Sequence, residues 1–325
     1  MSIDDIIKDL ITRLNLGVIV ENPLRVYGGL LNRLYKVKTT SGIYAIKHLN
    51  PNLIVKDNAK DNIILTEKIA NTAKEKGVNC IPAIAFNNES LQEINNNYFL
   101  IFEWFNGITI SNTMITIEHI KKVASMLAQI HNINFEELKN MCNKPNKLFE
   151  VNWNYYASRI ENTQIKELLV HNKDKLYEID RKSTQASKDI NNEIVVSHRD
   201  LDILNILWNK NEEPFAIDWE LAGLVNPCEE AIETAWNWSG GHECFDINKF
   251  NCFLDTYKSC GGNLKDINKA IYSCFKNNSD WLEYNLKRSC GINCSDNEEM
   301  EIGEKEALRV IKKVLKFYEI MDKEF

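Results

Sequence analysis

Between Ile194 and Glu220 the chain reads IVVSHRDLDILNILWNKNEEPFAIDWE. Four of its side chains, His198, Asp200, Asn205 and Asp218, are of the types and in the order that phosphoryl transfer uses. Asp200 follows the apolar run IVVSH on a loop, where a carboxylate can accept the hydrogen bond and then the proton of a hydroxyl nucleophile. Asn205 and Asp218 offer oxygen atoms, the donors a hard divalent cation prefers. Because Asp218 closes the apolar run FAI, its carboxylate could bridge magnesium to the phosphates of a nucleotide. His198 reads as a structural hydrogen-bonding residue, since Asp200 already holds the position of the base.

A loose phosphoryl-transfer transition state needs positioned groups and neutralised charge more than covalent chemistry, so a cation and a phosphate cover are required as well. Lys47 ends Tyr44-Ala45-Ile46-Lys47, close to the V-A-I-K pattern of a strand lysine that grips phosphates. Glu67, on a helical stretch about 20 residues further on, can pair with it and hold the ammonium inward. Gly28-Gly29-Leu30-Leu31-Asn32-Arg33 joins two strands. Its backbone N–H groups could approach phosphates, although a plain Gly-Gly hairpin turn explains it equally well.

The elements that must position these groups are legible in outline. Ser2 with Asp5 looks like a helix cap, with Gly17 closing the helix. LRVYGG, RLYKVKT and IYAIKHL alternate β-branched or aromatic with polar residues and predict a strand meander over 24–48. Apolar residues at Ile63, Ile64, Ile69, Ala70 and Ala73 share a helical face that Gly77 ends. Two more strands are expected around Ile81–Phe86 and Tyr98–Trp104. From Ile117 the pattern turns helical, over 117–131, 153–190, 228–239, 246–258, 264–288 and 297–321. Only IVVSH, ILNILWN and PFAIDW interrupt it as strands. The expected fold class is therefore α+β, a small antiparallel-sheet lobe followed by a larger, mainly helical one.

Bulk properties narrow the partners. With 325 residues, 44% hydrophobic and 26% charged, the chain has ordinary globular composition, enough for one large domain or two modest ones. The formal net charge of −7 argues against a nucleic-acid footprint and suits small cationic partners. The N-terminus lacks the basic start and apolar run of a secretory signal, and no stretch approaches a membrane span. A cytoplasmic protein with no membrane partner is expected. Nine scattered cysteines without a C-x-x-C pair read as reduced thiols rather than a disulfide framework.

Lys47, Glu67, the run HRDLDILN, Asp218-Trp219-Glu220, Ala222-Gly223 and Asn226-Pro227 together resemble the aminoglycoside phosphotransferase and choline kinase superfamily. The resemblance runs from about residue 24 to at least 240. It implies a protein-kinase-like bilobal fold, with residues 1–104 as the nucleotide-binding lobe, a hinge at about 103–107, and residues 105–325 as the catalytic and substrate-binding lobe. It further implies that the backbone of Glu103 and Phe105 binds the purine, with Phe102 as gatekeeper, and that ATP or GTP is used with Mg2+. Glu230 stands where many relatives carry an Asp that supports the catalytic loop. A protein kinase is the neighbouring alternative, because His198-Arg199-Asp200 spells H-R-D. Against it stand Asp202 where Lys is common, Trp219-Glu220 in place of Phe-Gly, and Pro227 within about ten residues of Asp218, too soon for a long activation segment.

The acceptor is expected to be a small hydroxylated, cationic molecule, an aminoglycoside first and choline, another amino alcohol or a sugar next. Asp202, Glu220, Trp238 and Glu243 are its candidate contacts, since carboxylates and indoles suit ammonium groups. Tryptophans at helical spacing are also ordinary core residues. From another class, a kinase-fold binding protein without catalysis is the second hypothesis, and the intact Lys47, Glu67, Asp200, Asn205 and Asp218 argue against it.

Overall fold

Ser2 opens the first helix, Ile3–Arg13, with a reciprocal cap: its hydroxyl accepts the N–H of Asp5, and the Asp5 carboxylate accepts the Ser2 N–H. The apolar stripe of that helix, Ile6, Ile7, Leu10 and Ile11, packs on one face of a five-stranded antiparallel sheet ordered β1-β2-β3-β5-β4. The strands are β1 (Leu24–Val26), β2 (Arg33–Lys38), β3 (Ile43–His48), β4 (Gln92–Ile94) and β5 (Asn97–Glu103). Tyr35, Val37, Ile46, Phe99 and Ile101 meet the helix from the sheet. Side chains alternate across a strand, so burying Ile46 on this face turns Lys47 to the other. There Lys47 lies between Leu34 and Leu100 in register. The second face carries its own cluster of Leu49, Ile54, Ala83 and Leu100, with Ile63 and Phe102 packed against it.

The computed structural model describes residues 2–27, 31–142, 150–190, 193–292, 294 and 296–324. Its contacts divide the chain into two units. The first comprises Met1–Thr109, Phe135–Cys142 and Asn205–Ala222. It thus takes in a segment well beyond the 1–104 lobe expected from sequence. That segment forms a ladder of β7 (Ile206–Trp208) with β8 (Pro214–Ala216). It is sewn to the sheet unit by Ile81 N–H to Ala216 O at 3.1 Å, Ala216 N–H to Asn79 O at 2.9 Å, and Ile108 N–H to Trp208 O at 3.0 Å.

The expected strand over Ile81–Phe86 does not form. Pro82 has no N–H to donate, so a continuous ladder is interrupted there and only Ile84 N–H reaches Ile101 O, at 2.7 Å. The partner of β5 is instead β4, joined to it through Asn95 and Asn96. Both have positive φ, 49° and 59°, as a two-residue hairpin turn demands. The first helix ends at Arg13, short of Gly17, whose φ of +90° serves the turn that follows.

The second unit, Ile110–Asn134, Asn143–Leu204 and Gly223–Phe325, is mainly helical. Its helices include Ile117–His131, Trp153–Arg159, Thr163–His171, Lys173–Asp189, Pro227–Trp238, Ile247–Ser259, Ile267–Ser289 and Asn297–Glu324. Trp153, Trp236, Trp238, Phe250, Phe253, Phe275 and Phe317 are wholly buried in its core. IVVSH forms the expected strand, β6 (Val195–Ser197), and it pairs antiparallel with β9 (Gly223–Val225), a strand that the sequence signals missed. All nine cysteines are free thiols. Among the described residues no helix is long and apolar enough to cross a membrane.

Candidate active site

In the first unit the chemistry gathers around Lys47. Its ammonium donates to Asp218 Oδ1 at 3.0 Å and to Glu220 Oε1 at 2.7 Å. Burial works against the charge, but these two carboxylates more than offset it, so the lysine is held protonated with its pKa above the ordinary range. Glu220 also accepts from Asn32 Nδ2 at 2.6 Å, and Asn32 Oδ1 accepts the N–H of Asn50 at 2.8 Å. Burial beside Asp218 raises the Glu220 pKa even though Lys47 pulls it down.

Glu67, expected to pair with Lys47, does something else. It is buried on the helix Ala59–Glu75, and its Oε2 accepts the N–H of Ala83 at 2.7 Å. Among the described residues it makes no ion pair with Lys47. One amide donor does not repay its desolvation, and burial pushes the carboxyl up to about 7.

Asn205 and Asp218 are brought together by the β7–β8 ladder. Ile206 faces Ala216 in register, and Ile217 N–H donates to Asn205 O at 2.9 Å, so the two residues flank the open end of one hairpin. Asp218 has φ 61°, a left-handed conformation unfavourable for a residue with a Cβ, and a short 3₁₀ turn over Trp219–Leu221 follows it. That turn is what aims Glu220 at the same ammonium as Asp218. The donor set of carboxylate and amide oxygens fits magnesium, which takes few protein ligands and completes its shell with phosphate and water. Among the described residues no group of three or more His, Cys, Asp or Glu could hold a metal.

The hinge candidates lie at the end of β5. Glu103 pairs with Tyr44, Trp104 N–H donates to Ile43 O at 2.9 Å, and Phe105 packs on Phe215 with ring centroids 4.5 Å apart. The Phe102 ring lies 5.9 Å from the Lys47 ammonium. Gly28 and Gly29 lie outside the described residues.

In the second unit the loop that carries Asp200 is held from beneath. β6 delivers Ser197 and the wholly buried His198, whose Nδ1 accepts the N–H of Asp200 at 3.2 Å. Arg199 has φ 65°, a strained bend that needs outside support. Support comes from Glu230 on the helix Pro227–Trp238, whose Oε1 accepts the Arg199 N–H at 2.6 Å. The other oxygen of Glu230 lies 2.9 Å from His131 Nε2, and His131 Nδ1 is 2.7 Å from the Tyr257 hydroxyl. Burial alone would raise the Glu230 carboxyl, but the bonds from His131, Ser197 and Arg199 outweigh it and hold the pKa below the usual value.

The acceptor candidates fare differently from one another. Trp238 is corrected: it is wholly buried, and its indole N–H donates to Leu201 O at 2.9 Å, so it braces the loop from the core and presents no surface to a ligand. Glu220 is engaged with Lys47, as described. Asp202 stays partly accessible on the loop, its Oδ1 accepting the N–H of Ile203 at 2.5 Å. Glu243 is exposed and accepts from Asn112 Nδ2 at 3.1 Å.

His131 and Arg309 escaped the sequence reading, as did the contacts that Glu220 makes with Lys47 and Asn32. His131 had a signal, because it falls on the buried stripe of its helix after Ile120, Ala124 and Leu127. The Glu220 and Asn32 contacts had none, being made across 173 and 188 residues of chain. Nor had Arg309, which looks like an ordinary helix-surface pair with Glu306, at 2.9 Å. The charges of Asp202 and Asp200 act on its guanidinium.

The fold is α+β and protein-kinase-like, and the chain is a phosphotransferase. The chain matches the phosphotransferase enzyme family over residues 24–247 and belongs to that family. No curated protein matches it in sequence. Similar solved structures include a spectinomycin phosphotransferase in complex with ADP and spectinomycin, with 15% identity over 95% of this chain and 98% of that one, at a TM-score of 0.67. An amicoumacin kinase in complex with AMP-PNP, Ca2+ and Ami shares 11% identity over 98% and 94% of the two chains, at 0.63. The choline kinase LicA of Streptococcus pneumoniae shares 18% over 96% and 98%, at 0.56.

Proposed function

We propose that the protein transfers the γ-phosphate of ATP or GTP, with Mg2+, to a hydroxyl of a small cationic molecule, an aminoglycoside foremost, and choline, another amino alcohol or a sugar next. The single observation that carries the reading is the meeting of Lys47 with Asp218, 171 residues apart in sequence and 3.0 Å apart in space. A cation for phosphates and a carboxylate for a metal are the two groups whose proximity phosphoryl transfer requires.

In this reading the backbone of Glu103 and Phe105 holds the purine and Lys47 grips the phosphates, with Gly28 and Gly29 as the phosphate cover. Asn205 and Asp218 hold magnesium, which when bound neutralises charge on the phosphate oxygens. Asp200 orients the acceptor hydroxyl and takes its proton as the new P–O bond forms and the bond to the leaving nucleoside diphosphate breaks. Asp202 and Glu243 are the acidic groups left to attract the acceptor's ammonium. Their charge, more than the overall charge of −7, supports a cationic substrate.

Nucleotide binding tests the first half of this reading. Mg·ATP or Mg·GTP stabilises the native state by about 2.7 kcal/mol at a hundredfold excess over Kd and so raises its melting temperature. Lys47→Ala and Asp218→Asn should each weaken the shift. A flat response to both nucleotides would remove the assignment.

A further inference from the structure

Lys47 is not the only cation on its face of the sheet. Register sets Leu24, Lys36, Ala45 and Phe102 side by side in the neighbouring row, and alternation along each strand keeps that row on the same face as Lys47. The partner of Lys36 is a ring: its ammonium stands 4.3 Å from the centroid of Trp104, the residue that follows β5, and both side chains are half-buried. Glu21, whose carboxylate feels the charge of Lys36, is itself paired with Lys38 at 2.6 Å. To reach the ring from β2 the lysine must cross β3, since two strand spacings, roughly 10 Å, separate β2 from β5. Opposite Lys36 on β3 stands Ala45, whose single methyl group leaves that passage open. Trp104 in turn has its N–H fixed on Ile43 O at 2.9 Å, and it lies between Glu103 and Phe105, the two residues whose backbone is read as holding the purine.

We infer that Lys36 is a positioning residue for the purine: by cation–π contact it holds Trp104, and through Trp104 the backbone groups of Glu103 and Phe105, in place before nucleotide arrives. This rests on the reading of residues 103–107 as the hinge. Preorganisation of this kind strengthens nucleotide binding and leaves the chemical step alone, because the entropy of ordering the hinge is given up before the ligand binds. Two lysines on one face then serve opposite ends of the nucleotide, Lys36 the purine and Lys47 the phosphates.

The test uses the full-length chain and two probes, Mg·ATP by its Kd and adenosine by its Ki as a competitor, beside kcat and KM for Mg·ATP hydrolysis with water as acceptor. Lys36→Met, which keeps an apolar stem and removes the charge, should weaken both probes alike, by about threefold, as loss of a partly exposed cation–π contact implies. KM should rise with kcat unchanged. Lys36→Arg, whose guanidinium can also lie over the ring, should restore the wild-type affinities. In a Trp104→Leu background Lys36→Met should have no further effect, because it acts through the ring. If Trp104→Leu fails to fold, the contrast between Lys36→Arg and Lys36→Met decides alone. Lys47→Ala, by comparison, should weaken Mg·ATP and spare adenosine. Unchanged affinities in Lys36→Met, a loss confined to Mg·ATP, a fall in kcat alone, no rescue by Lys36→Arg, or an undiminished loss without the indole would each overturn the assignment. Should Phe105→Pro, which deletes the hinge N–H, leave both affinities untouched, the hinge reading beneath it falls instead.

Discussion

Each unit of the molecule buries a glutamate near its chemistry, and the two are handled in opposite ways. Glu67 receives one backbone N–H and is driven up to about 7 by burial. Glu230 is buried as deeply but collects donors from Arg199, His131 and Ser197, and stays ionised below the usual range. Burial raises both carboxyls, but the donors gathered at Glu230 outweigh it, whereas the charges of Glu220 and Asp218 add to the rise at Glu67. The difference suits the work: a carboxylate that supports a strained loop needs permanent charge, whereas one that fastens a helix needs only to accept a bond. Lys47 repeats the lesson with the sign reversed, since two carboxylates keep it charged where burial would not.

Breaking the comparison begins at the loop that Glu230 supports. Asp200→Asn should lower phosphoryl transfer by about 100-fold or more, the usual contribution of a general base, with the melting temperature little changed. Steady-state turnover beside a melting curve checks this. Glu230→Gln comes next: it keeps the shape but loses the charge that three donors address, and should cost about 2 kcal/mol in denaturant unfolding while also lowering kcat. Because its native pKa is depressed, the stability it contributes is present above its unfolded value of 4.5 and is lost as pH falls below.

Glu67 gives the opposite pH signature. Its native pKa is raised, so the native state binds more protons than the unfolded state between 4.5 and about 7. Stability therefore declines as pH rises through that window and levels off above it. Glu67→Gln should flatten that decline, measured as unfolding free energy against pH, and a wild-type slope that survives the substitution would contradict the contrast. Smallest is Trp238→Phe, which deletes only the indole bond to Leu201 O and should cost about 1 kcal/mol.

What the sequence made legible were features set by local chemistry. The alternation in IYAIKHL placed Lys47 opposite Ile46, and the strand meander, the capped first helix and the long helices of the second unit formed where periodicity predicted. The order of Asp200, Asn205 and Asp218 sufficed to name candidates because each sits at the end of a recognisable apolar run. Long-range pairing was not legible. Nothing local distinguishes Glu67 from Glu220 as the partner of Lys47, since the choice depends on a 3₁₀ turn after Asp218. Ile81–Phe86 misled because its apolar residues outweighed the missing donor of Pro82. Trp238 misled because an indole on a core helix and an indole lining a ligand look alike until burial is known.

The account stands most directly on acceptor-dependent phosphorylation. With Mg·ATP or Mg·GTP supplied, the protein should be incubated with a panel of aminoglycosides, amino alcohols and sugars and the products weighed by mass spectrometry. The predicted result is a cationic, hydroxylated member of the panel carrying one added phosphoryl group, formed by the wild type and about 100-fold more slowly by Asp200→Asn. Equal product from both proteins, or nucleotide bound without any acceptor phosphorylated, would contradict it.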